Sequence, residues 1–478
     1  DPTTPDAANL VQSSKGDTGM KSPLITIAKR FVAATSLALL FSPPALADPP
    51  QFSIKDITPP ESRILPAGAS ELNNVGQAVG TFAFDATFLY DDRDGTWVEL
   101  PVSTEFDPND INEMGAVVGT ADEGGPVAQL FENGVVTDIG RFEGALTDSF
   151  ALGVNDSGDV TGSLDPESDN RFMAFLYSGG DTHLLDLGVD QGSCVRSDAE
   201  DINNAGQIVG QIQIPTDSGC KFRAFLHEDG GTLLIGDLVP DQETRAIRIN
   251  ESGQVLVFVR STGLFAGGAY LYSDGELQPI GDDQTNAHGL NDLGWVVGAT
   301  GPRSETRAFL WIDGELYDLN ELVPDLTGWA ELESAGDVND TGQIVGSGRR
   351  PDGVRGAFLL TPLETKVKID VRPFHKKNKI NLRSKGNIAV AIRSTGKFDA
   401  TQVDWETVKF GPGEATERHE RIHLKDLQND GDLDAVLHFR IRESGIRCKD
   451  TKVTLTGRTF EGLPFRGTDR IHVVKCRR

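Results

Sequence analysis

Several residue types and patterns are scarce in this chain. Of its 478 residues, only 4 are Cys and 3 are Met. Its 45 Lys and Arg residues are outnumbered by 72 Asp and Glu residues, which gives a formal net charge of −27. Because a chain this acidic would be repelled by the phosphate backbone of a nucleic acid, we predict no nucleic-acid partner. The longest apolar run, residues 31–41, is shorter than the roughly 20 residues that a membrane-spanning helix needs.

That short apolar run belongs to a predicted secretory signal peptide. Three basic residues precede it, and two prolines and the small-residue pair Ala45 and Ala47 follow it. A basic region, an apolar core, a helix breaker and a small-x-small sequence are typical of a signal that is cleaved after export. We therefore assign residues 1–47 to an upstream extension plus signal peptide, and we expect a secreted protein without a transmembrane segment in its mature form.

The four cysteines suit an exported protein. Cys194 and Cys220 lie close in sequence, as do Cys448 and Cys476. No C-x-x-C pair or mixed Cys/His cluster points to zinc or redox chemistry. Two local disulfides are the simplest prediction, although the sequence alone leaves the other two connectivities open.

Charge divides the chain into two predicted domains. Residues 1–360 contain 20 basic and 56 acidic residues, a net of −36, whereas residues 361–478 contain 25 and 16, a net of +9. A break of this size marks a domain boundary. We predict one domain over residues 51–362 and a smaller one over residues 363–478.

One phrase recurs seven times in the acidic part. Each copy has an apolar residue, then Asn, with Gly three residues after the Asn, and most copies continue with a short apolar run: "LNNVGQAVG", "INEMGAVVG", "VNDSGDVTG", "INNAGQIVG", "INESGQVLV", "LNDLGWVVG" and "VNDTGQIVG". The copies are 39 to 48 residues apart, the period of a four-stranded propeller blade. Asn and Gly suit a tight turn, and a second phrase such as "AFLW" provides another strand. The last unit lacks its final strand, which "FSIKDI" near the N-terminus could supply. We therefore predict an all-β protein with a closed seven-bladed β-propeller.

The alternation of "INxxGQVVG" with "AFLW" and "DLG" resembles the HAF-type extracellular repeat of bacterial secreted proteins. That resemblance covers residues 52–360 and implies export, without an assigned chemistry. From residue 363 onward, short alternating strands predict a basic β-sandwich. The segments "INLRSKGNIAVAIRSTGKFDATQVDWETVKFGPGEA", "DAVLHFR" and "GIRCKDTKVTLTGRTFEG" resemble a C-terminal module of exported bacterial proteins, in which an acidic loop binds calcium.

The acidic loop "DLQNDGDLD" has the chemistry of a calcium site. Its predicted ligands are Asp426, Gln428, Asp430 and Asp434, with Asp432 contributing its backbone carbonyl. Calcium prefers oxygen ligands, and every ligand here is oxygen. Gln at the third position and Leu437 at the twelfth depart from the calcium-loop pattern, and a solvated acidic turn is the alternative. We predict structural Ca²⁺ at this loop.

Immediately before it, "HERIH" matches the zinc-protease string H-E-x-x-H. That chemistry requires His419 and His423 on one face of a helix, with Glu420 polarising a metal-bound water. The surrounding module reads as strands, and in a strand Glu420 would face away from both histidines. We therefore predict no catalytic residues.

The resulting hypothesis is a non-catalytic exported protein. The propeller would act as an extracellular binding or structural platform for a cell-surface ligand, polysaccharide or protein, with a calcium-stabilised C-terminal module. The alternatives are a zinc metalloprotease using the "HERIH" motif and a propeller-type hydrolase acting on glycans.

Overall fold

A computed structural model describes residues 49–475, with gaps at 61–65, 84–85, 103–105, 123, 143–144, 218, 241, 261–266, 303 and 376. The predicted signal peptide, with Ala45 and Ala47, and Cys476 lie outside the described residues. Within the described ranges, no helix has the length and apolar character needed to cross a membrane.

The first half of the propeller begins with a single strand and continues with four blades, each an antiparallel four-stranded sheet. A two-stranded hairpin lies between the second and third blades. The strands are β1 (Phe52–Asp56); β2 (Ala67–Leu72), β3 (Gln77–Phe82), β4 (Ala86–Asp91) and β5 (Thr96–Glu99) in blade 1; β6 (Asp107–Ile111), β7 (Val117–Asp122), β8 (Pro126–Glu132) and β9 (Val135–Asp138) in blade 2; the hairpin β10 (Arg141–Phe142) and β11 (Ala145–Leu146); β12 (Ser149–Val154), β13 (Val160–Leu164), β14 (Met173–Ser178) and β15 (Asp181–Leu184) in blade 3; β16 (Ser197–Ile202), β17 (Ile208–Thr216), β18 (Gly219–Glu228) and β19 (Gly231–Leu234) in blade 4.

The second half has three blades, and the last of them takes its outer strand from the N-terminus. A 3₁₀ helix (Ile235–Leu238) follows blade 4. The strands are β20 (Glu243–Ile249), β21 (Val255–Arg260), β22 (Gly268–Ser273) and β23 (Glu276–Ile280) in blade 5; β24 (Asn286–Leu290), β25 (Val296–Thr300), β26 (Arg307–Ile312) and β27 (Glu315–Asp318) in blade 6, followed by the short helix α1 (Leu319–Leu322); β28 (Glu331–Val338), β29 (Ile344–Arg349) and β30 (Arg355–Pro362) in blade 7. Because β1 pairs with β30 along its whole length, the predicted closure is confirmed.

The C-terminal module consists of β31 (Thr365–Val371), β32 (Lys379–Asn381), β33 (Asn387–Arg393), β34 (Val403–Phe410), β35 (His423–Lys425), β36 (Asp434–Arg440), β37 (Lys452–Thr459), β38 (Pro464–Arg470) and β39 (His472–Val474), with a 3₁₀ helix at Ala400–Gln402. The first part of β31 pairs with β38 and the second part with β33, so this strand links two half-sheets. Phe410 and Phe439 come from different half-sheets and stack with ring centroids 5.0 Å apart. The two half-sheets therefore enclose one apolar core, as in a β-sandwich.

The repeated Asn–Gly turn has the predicted conformation in every blade. All seven glycines that lie three residues after the Asn have φ between 76° and 85°, which only Gly adopts without strain. In each copy the Asn Oδ1 accepts a hydrogen bond of 2.8–3.0 Å from the backbone N–H four residues later. The Asn side chain therefore closes its own turn.

The same seven asparagines also connect the blades in a closed ring. The Nδ2 of each Asn donates to the backbone carbonyl of the Asn in the next blade, over 2.9–3.4 Å. The seventh, Asn339, donates to Asn73 of the first blade at 3.0 Å. Since these asparagines are all buried, each bond satisfies groups that water cannot reach.

A second ring lies beside the first, at the residue after each Asn. There the backbone N–H donates to the side chain of the equivalent residue in the next blade, over 2.7–2.9 Å. The acceptors are, in order, Glu113, Asp156, Asn204, Glu251, Asp292, Asp340 and Asn74. Blade closure therefore rests on two circular networks of polar bonds as well as on apolar packing.

We expect Asn203→Asp to destabilise the protein. The change keeps the Oδ1 acceptor, removes the Nδ2 donor to Asn250 and places a carboxylate at a buried position. We expect the free energy of unfolding to fall by about 2 kcal/mol or more, measured by chemical denaturation.

The matched control is Asn133→Asp, in an exposed turn where other blades have Asp229, Asp274 or Asp313 with the same positive φ. It should change stability by less than about 0.5 kcal/mol. Equal effects of the two substitutions would mean that the inter-blade bond contributes nothing.

Candidate functional site

The central channel of the propeller is lined by the first strand of each blade. Every one of these strands has a β-bulge three residues before its Asn, where one residue is left out of the ladder. A β-bulge changes the direction of the strand, and the residue that follows each bulge, two positions before the Asn, faces the channel. The seven residues are Glu71, Asp110, Gly153, Asp201, Arg248, Gly289 and Asp337. Four carboxyl groups thus share one guanidinium.

Arg248 holds the centre of this layer. Its Nη2 lies 2.7 Å from Oε2 of Glu71 on the far side of the ring of blades. Asp110, Asp201 and Asp337 instead accept hydrogen bonds of 2.7–3.1 Å from backbone N–H groups of the following blade. The acidic side chains therefore serve as additional links between neighbouring blades.

Burial changes the ionisation of these carboxyl groups. It raises the pKa of Asp201 and of Asp337 to about 7, although Arg248 and backbone N–H groups act in the opposite direction. It also raises the pKa of Glu71 well above its ordinary value, again against the attraction of Arg248. Near neutral pH the layer therefore contains carboxyl groups that are partly protonated.

A cavity of about 490 Å³ opens at one side of the Arg248 layer. Arg245 lies in its wall and forms a bidentate pair with Glu200, at 2.7 and 2.6 Å. The Arg245 side chain is 48% exposed, whereas that of Glu200 is 6% exposed. Leu152 and Ile247 contribute apolar wall between these polar groups. The cavity has the size and the mixed lining of a small-molecule site.

His288 adds a neutral imidazole to this cavity. Its Nδ1 lies 2.8 Å from the carbonyl oxygen of Ala335, so Nδ1 carries the proton and donates it. Burial lowers the pKa of His288 below its ordinary value. The other ring nitrogen is then a hydrogen-bond acceptor.

The other mouth of the channel is lined by the two circular networks. Burial, and then the neighbouring Asp340, raise the pKa of Asp292 to about 6. Because the acidic groups here accept the N–H bonds that join the blades, we assign them a structural role.

The calcium-type loop follows β35. Asp426 accepts hydrogen bonds from the backbone N–H groups of Asp430 and Gly431, at 3.2 and 3.1 Å. Asp434 is fully buried, and its two oxygens accept from the N–H groups of Ser394 and Leu427, at 3.0 and 3.2 Å.

The oxygen chemistry of this loop suits Ca²⁺. Its carboxylates, however, do not converge: in the described parts of the chain, the acidic loop contains no group of three metal-ligating side chains within 4.8 Å of one another. The calcium ligand set, which also includes the Gln428 side chain and the Asp432 backbone carbonyl, therefore stays a prediction.

The "HERIH" segment forms neither the helix nor the strand that the sequence suggested. Residues 418–421 form a bend, and only His423 begins β35. His419 and His423 are nevertheless brought together with His438, which belongs to no sequence motif, and their ligating nitrogens all lie within 4.8 Å of one another. Desolvation and the two neighbouring histidines lower the pKa of His438. No spacing rule links His438 to the motif, because strand pairing alone brings it close.

One predicted disulfide is confirmed. Cys194 and Cys220 are bonded, with Cα atoms 5.7 Å apart, and the bond ties the loop before β16 to β18 in blade 4. Because Cys476 lies outside the described residues, the pair Cys448–Cys476 stays a prediction.

The chain is an all-β protein built on a seven-bladed β-propeller. No family model matches it, and no curated protein matches it. Among solved structures it is similar to an oligogalacturonate lyase of Vibrio parahaemolyticus, with 11% identity and a TM-score of 0.46 over 64% of this chain and 93% of the lyase. It is also similar to an oligogalacturonate lyase in complex with manganese, with 11% identity and a TM-score of 0.44 over 66% of this chain and 97% of that lyase.

An acylaminoacyl peptidase of Pyrococcus horikoshii gives 12% identity and a TM-score of 0.40 over 71% of this chain. The chain spans 59% of that peptidase's length. At these identities and scores the similarities carry no information about substrate or chemistry.

The channel layer should make stability depend on pH. Asp201 and Asp337, with a pKa of about 7 when folded, keep protons that the unfolded chain has released above about pH 4. Their contribution to stability is present below about pH 4 and is lost as the pH rises to 7. Asp201→Asn should therefore make the fall in stability between pH 4 and 7 shallower, by up to about 1.4 kcal/mol per pH unit, in thermal or chemical unfolding.

Asp229→Asn, in an exposed turn, is the matched control and should leave that slope unchanged. An unchanged slope in Asp201→Asn would contradict the raised pKa.

Proposed function

We propose that this is an exported, non-catalytic binding protein whose propeller channel holds a neutral, hydroxyl-rich ligand such as the end of a saccharide chain. The observation that carries the proposal is the cavity of about 490 Å³ with the Arg245–Glu200 pair in its wall. The signal-like segment over residues 1–47, the resemblance of the repeats to the HAF type and the disulfide of blade 4 support an extracellular setting.

The charges of the cavity favour a neutral ligand. Each guanidinium in the wall already has a carboxylate partner, Glu200 for Arg245 and Glu71 for Arg248. An anionic ligand would have to compete with those carboxylates. A sugar hydroxyl can donate to a carboxylate and accept from a guanidinium at the same time, so it can bind without breaking either pair.

The apolar part of the wall fits the same class of ligand. Leu152 and Ile247 both lie in the cavity lining, on the first strands of blades 3 and 5. Sugar rings have apolar C–H faces as well as hydroxyl edges, and a site with both kinds of surface can contact both. A protein partner at the cell surface and a propeller-type glycan hydrolase are the competing possibilities, and the experiment below separates them.

We expect the full mature protein to bind saccharides on a glycan array and in calorimetry. Arg245→Gln should weaken binding at least tenfold, since a hydrogen bond to a charged group is worth about 1.5–3 kcal/mol. Leu152→Trp should also weaken binding, because its indole occupies part of the cavity without changing either ion pair.

The control is Arg260→Gln, which breaks an exposed ion pair with Glu243 in blade 5, the blade that also carries Arg245. Its affinity should equal that of the wild type. The proposal fails if no saccharide binds or if both cavity variants bind normally. Release of shortened saccharides in the same samples would identify a hydrolase instead.

We also propose that Ca²⁺ stabilises the C-terminal module at the acidic loop. The supporting observations are the all-oxygen ligand set of the loop and the exposure of Gln428 and Asp430 to solvent, from which the ion would enter. The buried Asp434 anchors the end of the loop to the core of the module through Ser394. Binding would then hold together a segment that connects β35 to β36.

Added Ca²⁺ should raise the thermal midpoint of the protein, because an ion that binds only the folded state stabilises it by about 2.7 kcal/mol at a hundredfold excess over Kd. Asp430→Ala should remove the effect. Asp432→Ala should retain it, because position 432 contributes only its backbone carbonyl. A wild-type midpoint that is insensitive to Ca²⁺, or equal losses in both variants, would refute the calcium proposal.

A further inference from the structure

The chain makes an unusual excursion just before β35. Glu417 forms a bridge with Phe439, and six residues later His423 pairs with Val436. Five residues, 418–422, therefore lie opposite only residues 437 and 438 of β36. Because five residues cannot pair with two, this segment must leave the plane of the sheet. Glu420 takes a positive φ of 52° within this excursion. Non-glycine residues in this conformation cost energy and cluster at functional sites.

The excursion folds back over the outer face of β36. Leu437 and Phe439 are fully buried in the core of the module, so strand alternation places His438 on the opposite face. The N–H of Arg418 donates to the carbonyl oxygen of His438 at 2.8 Å, which holds the start of the excursion against the strand. His419, His423 and His438 then surround one point, with ring centroids 4.5–5.5 Å apart.

Glu417 fixes the relative position of two of these histidines. Its side chain is buried, and its two carboxylate oxygens accept hydrogen bonds from the backbone N–H groups of His419 and His438. One carboxylate therefore clamps the two segments that carry the ligands. This is the kind of supporting contact that orients the ligands of metal sites.

We propose that His419, His423 and His438 bind one Zn²⁺ ion. Nδ1 of His419 and Nε2 of His423 are 3.3 Å apart, and all three ligating nitrogens lie within 4.8 Å of one another. Tetrahedral zinc with bonds of 2.0–2.1 Å places its ligand nitrogens about 3.3 Å apart.

A second observation supports a ligand at this place. Nδ1 of His438 is buried and has no hydrogen-bond partner in the described part of the protein. Buried polar atoms almost always have a partner, and a nitrogen without one calls for an explanation. A metal ion held by the three imidazole rings would explain why this nitrogen has no hydrogen-bond partner.

The nature of the ligands selects the ion. Imidazole nitrogens suit zinc and its neighbours in the first transition row, whereas calcium and magnesium require oxygen. The site is thus chemically distinct from the calcium-type loop that follows it. Three protein ligands leave one position open to solvent or to a partner molecule.

The zinc site is not that of a helical H-E-x-x-H protease. The bend at residues 418–421 removes the helical spacing on which the protease arrangement depends, and the third ligand comes from β36. The proposal therefore concerns metal binding by the module and includes no hydrolytic step.

The test uses the full mature protein without a histidine tag, treated with EDTA and dialysed. Titration with Zn²⁺ in a calorimeter should give one site per chain, and Co²⁺ should give the visible absorption of a tetrahedral complex. His438→Ala and His419→Ala each remove a ligand and should weaken binding by about a hundredfold or more, at least as much as loss of a residue that only supports the ligands. Since His419 is exposed, its variant should fold normally even if His438→Ala does not.

Two further variants complete the design. His472→Ala, an exposed histidine on β39 of the same module, should bind Zn²⁺ like the wild type. Glu417→Gln keeps all three ligands and should weaken binding about tenfold while the stoichiometry stays at one. The inference is overturned if His419→Ala binds Zn²⁺ like the wild type, if His472→Ala loses binding, or if excess Ca²⁺ displaces the ion.

Discussion

The closed ring of seven asparagines is the constraint on which the propeller depends. Each side chain performs two tasks, since Oδ1 closes its own turn and Nδ2 reaches the next blade. Because Asn339 returns to Asn73, the last donor finds the first acceptor, and no buried donor in the ring is left unpaired. If one blade were missing, one Asn Nδ2 donor and one backbone carbonyl acceptor would have no partner. Each unsatisfied group would cost about 1–3 kcal/mol. The pairing of β1 with β30 in blade 7 closes the ring of blades a second time, at its outer edge.

Each repeat has an invariant part, the Asn–Gly turn of the ring, and a variable part just before it. The Asn and the Gly of the turn are the same in every blade, whereas the residue two positions before the Asn, directly after the β-bulge, is Glu, Asp, Gly or Arg. The scaffold requires only that the strand bends there, so the side chain is free to differ. The ionisable groups of the channel, Arg248 and the four acids around it, therefore stand where the repeat tolerates variation.

Local patterns predicted the fold well. Seven copies of a turn phrase at the period of a blade gave the blade number, and the unmatched "FSIKDI" gave the closure. The inter-blade bonds of the asparagines, the Arg248–Glu71 pair and the approach of His438 to His419 were not predictable, because each joins residues that the register of strands brings together over a long sequence distance. The Glu71–Arg248 pair, for example, spans 177 positions. The sequence does not specify that distance in any short motif.

The basic module is joined to the propeller at the turn of the seventh blade. Nη1 of Arg458 donates to the carbonyl oxygen of Thr341, two residues after Asn339, at 3.0 Å. Leu463 packs against the apolar cluster of blades 6 and 7 that contains Trp295. At Gly462, whose φ is 75°, the position of a Cβ atom would lie 2.3 Å from Cδ1 of Leu293, so the two parts are in direct contact here. The ring that closes the propeller therefore also fixes the turn against which the module, with its histidine cluster, is placed.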